Sequence, residues 1–353
     1  MGSMALANAK KSSGSHRKSI PEIIESKSLA AIPWLIHGFS TRRGGRSKNY
    51  GGNALNLGQT TEDSQEVVQL NRKLFLSNLA DGAAEKWPAE TLRQIHSSVI
   101  HRIGSPRAGK PLSKKNRAGI IPAGDGLITN QPGILMGIKT ADCLPVLLVD
   151  TTRRAAGAFH AGWRGTLERI VEKGVGEMRR CFGTDPKDIV AVIGPGIHRC
   201  CYIVGEELRD KFESQFAYAA QLFEEKANDD EIHRKYPLLF MNMRAPGHGE
   251  PEVAVHLDLA EANRQQLLAA GVPARNIEVS GLCTSCRTDL LFSHRAERGK
   301  TGRMMAVVGL REASRSSQKK TRVKQRVEFS AKTAGKRKAS RSKMTGSKVR
   351  KKD

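Results

Sequence analysis

The stretch TADCLPVLLVDTTRRAAGAFHAGWRG, residues 140–165, decides the fold. Two apolar segments, residues 144–149 and 155–159, flank the polar Asp150-Thr151-Thr152-Arg153-Arg154. Each is of strand length, so the pattern predicts a β-hairpin. Its parity decides which side chains meet. A two-residue loop at Thr151-Thr152 sets Cys143 directly opposite His160, and a four-residue loop from Thr151 to Arg154 makes them diagonal neighbours on one face. An odd loop would separate them. Thr-Thr lacks the φ > 0 preference of a primed two-residue turn, which favours the longer even loop. A thiol and an imidazole sharing one face form either part of a metal site or a nucleophile–base pair.

Outward from the hairpin, helical and strand-like segments alternate without a repeat between residues 32 and 310. Helices are expected at 64–79, 167–181, 206–222 and 257–270, the last stopped by Gly271 and Pro273. Strands are expected at 36–40, 126–129, 134–139, 189–193 and 306–310, with 91–99 extended. Residues 41–45 read as a loop whose glycines permit close backbone approach, and 105–117 and 225–253 as further loops. Regular βαβ alternation is missing. The expected fold is therefore α+β, with layered mixed β-sheets flanked by helices in one domain.

The 353 residues carry a net charge of +24, which suggests nucleic acid until it is located. Residues 311–353 hold 17 Lys/Arg against 3 Asp/Glu, and Lys10, Lys11, Arg17 and Lys18 make residues 1–18 basic. The chain thus divides into an N-terminal tail (1–18), a mildly basic domain (19–310) and a Lys/Arg-rich C-terminal tail (311–353). Both tails are too polar to fold alone. The C-terminal one would attract nucleic acid non-specifically. No apolar run is long enough to span a membrane: residues 133–149 are interrupted by Lys139, Asp142 and Pro145. Residues 1–18 lack the apolar core of a secretory signal. Six cysteines in a chain this long do not form a secreted disulfide framework, and a reducing cytoplasm fits them better.

A catalytic zinc site needs a third protein ligand beside Cys143 and His160. His96, in Gln94-Ile-His96 among polar neighbours, is the first choice; His37, His101, His198 and His256 compete with it. Cys283-Thr-Ser-Cys286 has metal or redox spacing, but it is a single such pair and reads as structural or inert thiols. Cys200 and Cys201 are adjacent, and in extended chain their side chains would point apart. Asp125 and Asp142 are candidates for orienting a ligand imidazole.

The chain resembles the laccase-domain, or YfiH-type, family, once called multicopper polyphenol oxidases and now associated with purine nucleoside phosphorylase activity. The resemblance is carried by Gly38-Phe-Ser-Thr-Arg42, Asn56-Leu-Gly58, Gln94-Ile-His96, Gly124-Asp-Gly-Leu-Ile-Thr129, Thr140-Ala-Asp-Cys143 and His160-Ala-Gly-Trp-Arg-Gly165. It continues through Gly194-Pro-Gly-Ile197, Cys200-Cys-Tyr202, Cys283-Thr284 and Thr301-Gly-Arg303, spanning about residues 33–310 in the family's order. His294 stands where the family usually has tyrosine.

The resemblance implies that His96, Cys143 and His160 bind a metal, Zn2+ first and copper as the alternative. It implies phosphorolysis of adenosine, inosine, guanosine and methylthioadenosine to base and ribose (or methylthioribose) 1-phosphate, with adenosine deamination beside it. Arg42 and Arg164 are candidate phosphate holders, because guanidinium matches phosphate bidentately. Trp163 and Asp142 complete the expected substrate site. Competing readings are a Cys143/His160 hydrolase or amidase acting on cell-wall precursors, a copper-dependent phenol oxidase, and a tail-driven nucleic-acid-binding protein. The oxidase ranks low, since the chain has no His-x-His pair.

Overall fold

The computed structural model describes residues 5–6, 20–85, 87–104, 121–227 and 253–312. The 105–117 loop, most of 225–253 and nearly all of both tails lie outside them. Within the described residues the hairpin forms with the longer loop. Strands Leu144–Asp150 and Ala155–Ala161 pair antiparallel, with Asp150 opposite Ala155 and His160 opposite Pro145. Asp150 closes the turn by accepting the N–H groups of Thr152 and Arg153, and Arg154 takes a left-handed φ of 52°.

These strands are apolar at nearly every position because both their faces are covered. Leu144, Val146 and Leu148 pack under helices Ile170–Phe182 and Leu259–Ala269. Leu147, Val149, Ala156 and Ala158 face the other way and meet Met136, Ile138, Ala306 and Val308 of a second sheet. That second sheet buries Ile36, Leu135 and Val307 on its outer face against Phe75 and Leu79. Phe75 belongs to helix Gln65–Asn78, which starts at Ser64, whose Oγ accepts the Val67 N–H. The result is a four-layer stack of helix, sheet, sheet and helices, the mixed α/β single domain expected.

Among the described residues, both large sheets have six strands. One runs Ala5–Leu6, Ile23–Glu25, Leu35–Ser40, Met304–Leu310, Leu135–Thr140, Ala89–Thr91. The other runs Ile277–Val279, Ile189–Ile193, Leu144–Asp150, Ala155–Ala161, Gly126–Thr129, Ile100–Arg102. Each is antiparallel in its centre; the first has a parallel pair at one edge and the second a parallel pair at both edges. A small third sheet pairs Val253–Leu257 with Ile203–Val204 and Phe223–Ala227. Residues 141–143 carry the chain from the first sheet to the second, so Cys143 lies at the rim of the stack.

Phe159 locks the hairpin to its helix. A Cβ added at Gly126, Gly157 or Gly174 would lie 2.9, 2.6 or 2.6 Å from its ring, so two strands and one helix approach it through glycine. Gly174→Ala should therefore lower stability by about 1–2 kcal/mol, because overpacking a ring that cannot move outweighs the better helix propensity of alanine. A urea midpoint equal to or above the wild type's would overturn this account.

Four sequence expectations change. The 206–222 helix ends at Glu213, and a 3-10 turn, Ala219–Leu222, follows it. Between them Arg169 takes the Gln215 carbonyl at 2.9 Å, which is then lost to a continuing helical ladder. The 167–181 helix is two helices, Trp163–Leu167 and Ile170–Phe182, separated by Arg169 at φ 62°. Residues 43–47 form a strand rather than a loop, although Gly45 does press against the Ala54 backbone as its lack of a side chain allows. The 91–99 segment is not extended throughout. Its strand is Ala89–Thr91, and the chain then bends because a buried carboxylate captures it.

Candidate metal centre

That carboxylate is Asp125, fully buried beside the strand Gly126–Thr129. It accepts the N–H groups of Ile95, His96 and Ser97 at 3.2, 3.1 and 2.7 Å, and the Ser97 hydroxyl at 2.8 Å. His96 is thereby held at φ 58°, a left-handed conformation that needs such support. Gln94 adds a second tether, its side-chain amide donating to Lys139 O at 2.7 Å and accepting from Lys139 N at 2.9 Å.

The same Asp125 lies 2.8 Å from His160 Nδ1. With the proton on Nδ1 donated to Asp125, Nε2 is left as the free donor atom for a ligand. One carboxylate thus sets both the loop carrying one imidazole and the ring of the other. Hairpin register does the rest: Cys143 falls opposite Gly162, which makes it the diagonal neighbour of His160. The ligand atoms of His96, Cys143 and His160 all lie within 4.8 Å of one another, and the two imidazoles meet edge to face at 4.9 Å between centroids. Gly162 makes room for them, since a Cβ there would sit 2.8 Å from Cys143 Sγ and 3.3 Å from His96 Cδ2.

Electrostatics favour ionised partners. Burial pushes the Cys143 thiol up, but the charge of His160 and hydrogen bonds from His160 and His96 outweigh it and bring the thiol down to about 6. Burial pushes His160 down, but the Cys143 thiolate and Asp125 raise it to about 9. Two imidazoles and one thiolate suit zinc, whose catalytic sites take three protein ligands and keep a fourth position open.

Three of the four competing histidines are occupied elsewhere, and the fourth, His198, is not in the lining of the cleft that holds His96, Cys143 and His160. His37 Nε2 accepts the Ser26 N–H, and its ring is held down to about 4 by burial. His101 Nε2 meets Ala123 O, and His256 Nδ1 meets Arg199 O.

The three donors line a cleft of about 520 Å³ together with Asp142 and Trp163. Asp142 does not orient an imidazole. At φ 85° its carboxylate accepts from Thr284 Oγ1, Ser293 Oγ and Arg295 N at 2.6, 2.8 and 2.6 Å, tying the 284–295 segment to the turn that carries Cys143. Arg42 lines a different cleft, with Arg43 and Tyr50; it pairs with Glu297 at 3.1 Å and donates to Thr288 O and Tyr50 O. Arg164 is exposed, with its guanidinium 4.5 Å from the Trp163 ring centroid.

The cations that do line the metal cleft are Arg93, Lys139, Arg295 and Arg303, with Tyr202 and His294 beside them. Sequence reasoning gave these residues no role in the site, though a signal existed: Lys139 is the lone charge in the strand Leu135–Thr140. Burial, then the nearby charges of Arg72 and Arg303, lower its ammonium to about 8.

Cys200, Cys201, Cys283 and Cys286 also converge, with all four sulfurs within 4.8 Å of one another. The extended-chain reading of Cys200-Cys201 is wrong here. The N–H groups of Cys201 and Tyr202 both return to His198 O, so the segment is a turn and the two side chains do not oppose.

Comparison with known proteins agrees with this architecture. The family described as multi-copper polyphenol oxidoreductase laccase matches residues 36–311. YlmD of Geobacillus stearothermophilus, named a purine nucleoside phosphorylase, is 35% identical over 277 residues, covering 78% of this chain and 90% of that protein. A purine nucleoside phosphorylase of Deinococcus radiodurans is 35% identical over 287 residues, 79% of this chain and 90% of its own length. The crystal structure of the Bacillus licheniformis hypothetical protein YfiH superimposes with a TM-score of 0.66 at 32% identity, covering 84% of this chain and 98% of that one. With the matched residues enclosing the whole metal cleft, the chain belongs to the multi-copper polyphenol oxidoreductase laccase family, as a homologue of its purine nucleoside phosphorylases.

Proposed function

We propose that the protein is a zinc-dependent purine nucleoside phosphorylase that cleaves inosine, adenosine, guanosine and methylthioadenosine with phosphate, and that also deaminates adenosine. The observation that carries this reading is His96. A nucleophile–base dyad needs one imidazole, whereas here a second is brought to the same thiol on a backbone bent by Asp125. Zinc held by His96, Cys143 and His160 supplies Lewis acidity, which polarises a substrate atom or activates water.

The remaining work belongs to the side chains around it. Lys139, Arg93, Arg295 and Arg303 give the cleft four cationic side chains able to bind phosphate. They would hold the phosphate oxyanion, whose negative charge stabilises the sugar as it becomes cationic. Trp163 and Tyr202 offer aromatic faces to a purine. Arg42 and Arg164, placed outside the cleft lining, are replaced in this reading by Lys139 and Arg303.

Incubating metal-replete protein with inosine and phosphate should release hypoxanthine and ribose 1-phosphate; no release at high enzyme concentration would sink the proposal. A second expectation concerns Lys139. Losing one charge-assisted contact to phosphate costs about 1.5–3 kcal/mol, so Lys139→Met should raise the phosphate KM roughly 10- to 100-fold and change the nucleoside KM far less. In the wild type, phosphate affinity should weaken as pH rises through about 8, where Lys139 loses its proton. That limb should vanish in Lys139→Met; its persistence would assign it to another group.

A further inference from the structure

We propose that Cys200, Cys201, Cys283 and Cys286 form a second zinc site, a structural tetrathiolate that clamps together two segments of the catalytic rim. Zinc–sulfur bonds of about 2.3 Å in a tetrahedron place the sulfurs about 3.8 Å apart. The sulfurs here bracket that spacing. Cys200 and Cys201 lie 3.5 and 3.3 Å from Cys286, and every pair of the four is within 4.8 Å. All six cysteines are free thiols.

At Cys283 the backbone supports thiolate rather than thiol. The His198 N–H points at Cys283 Sγ from 3.5 Å, and the N–H groups of Ser285 and Cys286 are directed at the same sulfur. N–H groups of a Cys-x-x-Cys turn aimed at its first sulfur stabilise the charge that a metal-bound thiolate carries. The two turns are also prealigned. Gly196 and Cys283 form a parallel bridge, the Thr284 N–H meets Gly196 O at 2.9 Å, and Cys201 and Tyr202 fold back on His198 O. Four sulfurs leave no coordination position open, so the site's role is structural.

Its placement says what it would hold. The first turn carries Ile197 and Tyr202 into the cleft, and the second leads to His294 and Arg295. Without the clamp, the contacts between these segments near the rim include the Arg295 guanidinium on Ile203 O at 2.8 Å and over the Tyr202 ring at 5.4 Å. A dication bridging the turns removes their freedom to part.

The test counts metal independently of activity. Full-length protein should contain about two zinc ions per chain by elemental analysis; Cys143→Ala and Cys286→Ser should each keep about one. Hydrogen exchange in residues 197–204 and 284–295 should rise in Cys286→Ser and not in Cys143→Ala. Because Cys286→Ser could misfold, cadmium-exchanged wild type offers a second readout. Its cadmium-113 spectrum should show two resonances, one at the strongly deshielded position of four thiolates. A cadmium spectrum without the four-thiolate resonance, a zinc content unchanged by Cys286→Ser, or a disulfide among these cysteines in non-reducing peptide maps would overturn the proposal. Zinc lost with Cys143→Ala reports on the His96/Cys143/His160 centre and zinc lost with Cys286→Ser on the tetrathiolate, so the two readings fail separately.

Discussion

Replacing Cys143 by alanine should remove the metal of the His96/Cys143/His160 centre and lower nucleoside turnover by on the order of 10³-fold, the scale of a lost Lewis acid. The fold should survive. Cys143 is small and lies at the rim of the stack, where the hairpin's register is set by residues 144–161 rather than by the thiol. Thermal unfolding close to the wild type's, together with one zinc fewer per chain, is the expected pair of results. The same variant would inactivate a thiolate nucleophile, and the low Cys143 and raised His160 titrations suit such a dyad as well. A chelator separates the two. If wild-type protein stripped of zinc keeps full activity, the thiol is a nucleophile and the metalloenzyme reading is wrong.

Asp125→Ala should be the most damaging single change outside the ligands. It strands the His160 ring proton in a buried place and the Ser97 N–H and hydroxyl in a half-buried one. Each unpaired buried donor costs about 1–3 kcal/mol, although water can reach the exposed Ile95 and His96. A loss of roughly 3–5 kcal/mol in stability follows, with zinc affinity down about 10- to 100-fold as both imidazoles lose their orientation. Asp125→Asn keeps the shape and one acceptor oxygen, so it should lose most of the metal affinity and less of the stability. Equal metal affinity in all three proteins would refute the organising role.

The pH dependence of that stability has a definite sign. Burial raises the Asp125 carboxyl, but the hydrogen bonds from His160 and Ser97 outweigh it and hold it at about 2. A carboxyl depressed in the folded state contributes fully above its ordinary value near 3.8 and loses that contribution as pH falls toward 2. Metal-free wild type should therefore lose stability across that window, and Asp125→Asn should lose less.

Much of the site was legible in the sequence where the interaction is local. Alternation and loop parity bring Cys143 and His160 to one face because a strand's side-chain period is two and the loop joining them is short. The ordered motifs added His96 by resemblance, and nothing in its own spacing required it. Tertiary structure decided how His96 gets there, since the bend at residues 95–97 is dictated by Asp125, about 30 residues away and just before a different strand. It also moved the cationic part of the cleft from Arg42 and Arg164 to Lys139, Arg295 and Arg303.

The cysteines mark the boundary most clearly. Read along the chain, Cys200-Cys201 and Cys283-x-x-Cys286 are two unremarkable pairs, one of them apparently unable to converge. Only the fold brings turns more than 80 residues apart to within a metal's reach. The hairpin of residues 140–165 was written in the sequence because periodicity and a short loop suffice to specify it. The carboxylate, cations and thiols assembled around it come from segments whose meeting depends on the packing of four layers, and no local pattern encodes that.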